Sequence, residues 1–260
     1  MKRIVADLRA EQDALAAIVA GIEDKAWSTP TPAEGWDVRD QIGHLAFFDG
    51  RATEAILDPE GFMAGVAAIA KDVEEYMESH LDSARASTPD NLRSQWDEAR
   101  ATMYAALAPL EPSTHLPWYG PPMSAHSFAV ARLMETWAHG QDVVDALEIR
   151  RKPTKRLQHI ALLGVKTMSW SFTVNGLPQP ATKVRVELTG PGGDAWVWND
   201  SVEESFVRGD AEDFCLVVTQ RRHLDDTSLE VFGDAAERWM PIAQAFAGPP
   251  GSGRQPGMFP

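Results

Sequence analysis

The chain has 260 residues, 44% of them hydrophobic, and a formal charge of −14. That is enough apolar material for ordinary cores in one large domain or two modest ones, and a net negative charge with scattered Lys and Arg disfavours a nucleic-acid partner. The opening MKRIVADLRAEQDALAAIVAG carries charges every few residues and no stretch reaches the ~20 apolar residues of a membrane span, so the expectation is a cytoplasmic protein with no membrane partner. A single cysteine, Cys215, rules out an internal disulfide framework and a Cys-rich zinc knuckle, so any metal must be held by nitrogen and oxygen.

Residues 3–24 place Ile4, Val5, Leu8, Leu15, Ile18, Val19 and Ile22 at spacings of three and four, which predicts an amphipathic helix ending before the Pro30, Pro32 and Gly35 loop. A second helix starts after Asp37 as N-cap and buries Val38, Ile42, Leu45, Phe48 and Ile56, with His44 on the flank of that face. Residues 62–84 read as a less regular helical segment, either a lid or a solvated connection. Thr88 and Pro89 form a cap followed by a first-turn proline, and Leu92, Trp96, Ala99, Met103 and Leu107 make the buried stripe of the next helix. After a loop holding Trp118, Tyr119, Pro121 and Pro122 comes a helix on which Phe128, Glu135, His139 and Ala146 share a face. Four such helices predict an up-and-down bundle over residues 1–150.

The pattern changes at Arg150, Arg151, Lys152 and Pro153. One further helix is expected over about 154–174, then short strands in KVRVELTG, DAWVW and SFVRG, a helix capped by Asp210, a strand in SLEVFG and a closing helix over DAAERWMPIAQAFAG. Helices and strands segregate, so residues 151–247 read as an α+β domain. Residues 248–260 are dense in Gly and Pro and read as a tail that is mobile or lies on the surface.

Glu135 and His139 lie four residues apart, so both heads can reach one ion, and His44 on a facing helix would complete a two-His, one-carboxylate set with coordination positions left open. On spacing alone a surface ion pair and a half-built metal site both fit. The apolar faces around all three groups weigh toward the site, because an unpaired carboxylate there is costly. Two imidazoles and a carboxylate suit zinc, nickel or copper better than magnesium, and zinc is the expected ion with nickel as the alternative. Asp142, one turn further on, could orient a ligand histidine, and a plain helix-end charge explains it as well. Cys215 reads as packing. His115 and His126 flank the Pro-rich loop and read as solvated before they read as substrate contacts, and His80, His159 and His223 carry no signal. Arg208, Arg221, Arg222 and Arg238 are candidates for a carboxylate clamp, although arginines at element ends are commonly solvated. Trp196 and Trp198 alternate along a strand and read as core.

The runs GWDVRDQIGHLAFFD, WYGPPMSA and ARLMETWAHGQDVVDALE resemble the DinB-like metal-binding superfamily, and specifically its mycothiol-dependent maleylpyruvate isomerase family. The resemblance implies a DinB-like four-helix bundle with His44, Glu135 and His139 as metal ligands. The downstream VRGDAEDFCLVVTQR is similar to that family's sterol-carrier-like C-terminal domain. The resemblance also implies mycothiol as a low-molecular-weight thiol cosubstrate. Thiolate addition to an electron-poor double bond, rotation and departure is a cis–trans isomerisation; stopping after addition is an S-transfer. The alternative is a non-catalytic, metal-stabilised carrier that holds an apolar small molecule in the second domain.

Overall fold

The computed structural model describes residues 1–69, 73–251 and 253–259, and the chain divides into two compact units, Met1–Arg151 and Lys152–Pro260. The fold is mainly α, with a small α+β second unit.

In the first unit, α1 (Lys2–Ala20), α2 (Val38–Leu57), α5 (Pro89–Leu107) and α6 (Ala125–Ala146) pack around Leu15, Val19, Ile42, Leu45, Leu92, Trp96 and Val143, all buried. The start of α2 is fixed locally by a capping box. Asp37 accepts from the Asp40 amide at 2.9 Å, and the Asp40 carboxylate accepts from the Asp37 amide at 3.1 Å. Thr88 caps α5, with Pro89 in its first turn.

The segment read as a less regular helix, a lid or a solvated connection, is helical and more than solvated, apart from residues 70–72, which lie outside the described residues. It forms α3 (Pro59–Ile69) and α4 (Val73–Ala86), and buries Phe62, His80, Leu81 and Ala84 in the first unit. α4 is fastened along α2. Arg85 donates to both Asp40 oxygens at 2.8 and 3.0 Å, and Gly43 allows the helices to approach so closely that a Cβ there would sit 2.3 Å from Ala84 Cβ. A two-stranded ladder, His115–Leu116 (β1) with Met123–Ser124 (β2), leads into α6, where Ser124 caps by accepting from the Ser127 amide.

A buried polar network crosses the bundle. Asp49 accepts from Arg132 Nη2 at 2.9 Å, Gln12 Nε2 at 2.7 Å and Trp96 Nε1 at 3.1 Å, while Tyr104 donates to Gln12 Oε1. Every oxygen lone pair so engaged offsets part of the desolvation that burying this carboxylate costs.

In the second unit, the sheet order is β4 (Ala195–Trp198), β3 (Arg185–Thr189), β5 (Phe206–Asp210), β6 (Glu230–Phe232), with β3 and β5 parallel and the outer pairs antiparallel. Asp210 caps α9 (Ala211–Val218). Trp196 is buried, as expected for core, and Val197 on the opposite face is exposed. The single helix expected over 154–174 is two, α7 (Leu157–Lys166) and α8 (Met168–Val174). They divide at Thr167, whose hydroxyl bonds back to the Leu163 and Gly164 carbonyls. The closing helix α10 (Asp234–Trp239) is shorter than the sequence suggests. Pro241 cannot continue an α-helical ladder, and Met240–Ile242 tightens to a 3-10 turn. In the Gly and Pro-rich tail, the Gly257 amide donates to Asp226 and Arg222 stacks over the Phe259 ring.

Candidate metal centre

His44 projects from the middle of α2, and Glu135 and His139 project from one face of α6. The three offer one nitrogen or oxygen each within 4.8 Å of one another, with His44 buried and the other two half-buried. His139 Nε2 lies 3.3 Å from Glu135 Oε2. Two ligands about 2.1 Å from a tetrahedral ion are separated by roughly 3.4 Å, so this edge already has the spacing that a metal would impose.

The ring orientation of His139 is determined by a chain of hydrogen bonds that begins on the loop before α2. Thr31 Oγ1 donates to the Trp36 carbonyl at 2.9 Å, Gln41 Nε2 donates to Thr31 Oγ1 at 2.9 Å, and Gln41 Oε1 therefore faces His139 Nδ1, at 2.6 Å. An amide oxygen can only accept, so His139 carries its proton on Nδ1 and presents Nε2 toward Glu135. A partner on the far ring nitrogen is the usual companion of a metal-binding histidine.

His44 has a different companion. Its Nδ1 lies 3.3 Å from His80 Nε2 on α4. Trp36 covers the group, stacked on His139 with ring centroids 5.9 Å apart and 5.2 Å from the His44 ring, and Phe48 packs on the other side of His44 at 4.5 Å. Beyond Phe48 an aromatic wall continues through Tyr119, Trp118 and Phe62, the last two stacked at 5.6 Å. Arg51, two helical turns along α2 from His44, donates to the Tyr119 hydroxyl at 3.0 Å, which in turn pairs with Tyr76 at 2.9 Å.

The other residues weighed from sequence have these surroundings within their own units. Asp142 is buried in α6, but the group that holds His139 Nδ1 is Gln41. His115 and His126 are exposed. Among the arginines, Arg208 lies beside Glu187 and Glu230, Arg221 donates to the Thr219 carbonyl, Arg222 to the Arg221 carbonyl and Arg238 to the Pro178 carbonyl. Cys215 is fully buried with Sγ donating to the Leu157 carbonyl at 3.5 Å, and burial pushes its thiol well above the ordinary range. Sequence reasoning missed Gln41, His80 and Trp36. Gln41 had a usable signal, a polar residue on an apolar helix face three positions before His44. His80 and Trp36 had none, because their roles depend on how α4 and a loop pack against α2.

Residues 8–144 match the family described as the mycothiol maleylpyruvate isomerase N-terminal domain. The chain belongs to that family. Two relatives from Mycobacterium tuberculosis, in strains CDC 1551 / Oshkosh and ATCC 25618 / H37Rv, are each 47% identical over 250 residues, covering 96% of this chain and 97% of theirs; both are described as uncharacterized proteins. Among solved structures, a mycothiol-dependent maleylpyruvate isomerase and a histidine-to-alanine mutant of it are similar with TM-scores of 0.55 and 0.57. Each is 15% identical, with 85% of this chain and 89% of the other covered, which establishes a shared fold. All three candidate ligands lie within the segment that matches the family. No helix among the described residues is long and apolar enough to cross a membrane.

Proposed function

We propose that the protein is a divalent-metal-dependent enzyme of the mycothiol-dependent isomerase type, acting as an isomerase or S-transferase on a small electrophilic, anionic substrate, with the metal held by His44, Glu135 and His139. The observation that carries this reading is the convergence of two imidazoles and one carboxylate beneath Trp36, with the His139 proton assigned to the nitrogen that faces away from the cluster. Three protein donors leave coordination positions open, as in catalytic rather than structural sites. Family membership supports mycothiol as the thiol, and the solved relative supports an isomerisation.

The donor chemistry fits zinc or nickel. A bound divalent ion would serve as a Lewis acid that favours the thiolate form of a thiol at neutral pH. The chain's own contribution is placement. Gln41 keeps His139 in one tautomer, Glu135 supplies the negative charge that offsets a cation, and Trp36 and Phe48 restrict water around the two histidines. Cys215 plays no part in this reading, since its buried thiol lies in the second unit's core.

Elemental analysis of tag-free protein should find about one divalent ion per chain, and Glu135→Gln should lower metal retention and thiol-dependent turnover of electrophilic substrates together. Binding of mycothiol should release about one proton per site near neutral pH, because a free thiol titrates near ~8.5. Protein from metal-supplemented expression that holds no stoichiometric ion would sink the proposal.

A further inference from the structure

His80 is a buried residue with no sequence-level signal, yet it is held against a candidate ligand by three successive contacts between α2 and α4. Asp40 pairs with Arg85, Gly43 lies against Ala84, and His44 Nδ1 meets His80 Nε2 at 3.3 Å. Phe47 packs on the His80 ring with centroids 4.9 Å apart, and Trp36 lies at its edge at 6.4 Å. The ring is therefore positioned by packing on two sides as well as by the helix pairing. The two imidazoles are 9% and 6% exposed, so water is a poor substitute for either as a partner.

Two neutral imidazoles at this distance share one proton in one of two senses. If His80 donated, His44 would be the acceptor at Nδ1, and its own proton would sit on Nε2 and block that nitrogen. If His44 donates, its Nε2 lone pair is free. We propose that His80 is a positioning residue for His44: it accepts the Nδ1 proton and so keeps Nε2 directed at the cluster with Glu135 and His139. The two ligand histidines then have outer partners of opposite origin. His139 on α6 is oriented by Gln41 from α2, and His44 on α2 is oriented by His80 from α4. This inference rests on the metal site of the proposed function, but the tautomer itself is a property of the chain without metal.

The experiment has two readouts on the full chain. The first is the tautomer of His44, from nitrogen-15 NMR of metal-free protein at a pH where both rings are neutral. The wild type should show His44 protonated at Nδ1, and His80→Leu, which fills much of the space without an acceptor, should lose that preference. The second is metal retention in a competition with a chelator. His80→Leu should retain metal about tenfold to a hundredfold less tightly, the range for loss of an outer partner, and His80→Gln, which restores an acceptor oxygen, should recover most of it. The thermal midpoints of the metal-free variants separate this from a simple folding defect. A wild type with His44 protonated at Nε2 overturns the inference, and so does a His80→Leu protein with wild-type tautomer and metal retention. A wild type that takes up no ion but shows the Nδ1 tautomer counts against the proposed function alone.

Discussion

Asp49 is the residue on which the bundle interior depends most. It is fully buried, with Arg132, Gln12 and Trp96 all donating to it. Asp49→Ala leaves the Arg132 guanidinium buried without its counter-ion, which typically costs about 3–5 kcal/mol. The double change Asp49→Leu with Arg132→Met should cost less than Asp49→Ala alone. Urea unfolding of the wild type and the two variants checks this, and equal losses would show that the network contributes no more than its packing. Cys215 makes a separate prediction. Burial raises its thiol pKa, so as pH climbs past ~8.5 the unfolded chain ionises while the folded chain does not. Stability contributed by the neutral thiol is present below that pH and is lost above it. Cys215→Ala should flatten the alkaline fall in stability, and native Cys215 should resist alkylation until the protein is unfolded.

At the scale of elements, the contact between α2 and α4 is the most sensitive. A methyl group on Gly43 would overlap Ala84, so Gly43→Ala forces the helices apart, and over-packing of this kind costs about 1–3 kcal/mol. The same displacement would open the distance between His44 and His80, and metal retention should fall along with stability. Unchanged unfolding in urea and unchanged metal retention would mean that α4 yields freely. What could be read from the chain divides along the same line. The caps at Asp37, Thr88 and Asp210 were legible because capping is satisfied within four residues. That Glu135 and His139 share a face was legible because helical periodicity states it, while the addition of His44 to the pair leans on the family resemblance. The helical character of the α4 segment was legible but its packing was not, since its position comes from Arg85 and Ala84 meeting residues some forty positions away. The break at Thr167 was missed for a comparable reason, as its hydroxyl competes with the backbone only once the turn has formed.

At the scale of the whole molecule, every candidate ligand and every outer group named around it lies in the first unit, Met1–Arg151. Arg151 closes that unit by donating to the Trp137 carbonyl and Gln141, beside Glu11. We therefore expect a Met1–Arg151 fragment that folds to take up metal with the stoichiometry of the full chain; a folded fragment that remains metal-free would place an essential donor in the second unit. Limited proteolysis should cut first in the irregular stretch after Arg151. The position of Trp36 has a further consequence. An indole stacked on His139 and close to His44 is an optical reporter of whatever occupies the cluster. Open-shell ions such as copper(II) or nickel(II) should quench its emission, whereas zinc, with a filled d shell, should alter it far less. The chain has nine tryptophans, so the signal must be isolated by difference against Trp36→Phe. The emission absent from that variant would then allow metal arrival and departure to be followed in real time, with no dye attached and no substrate required.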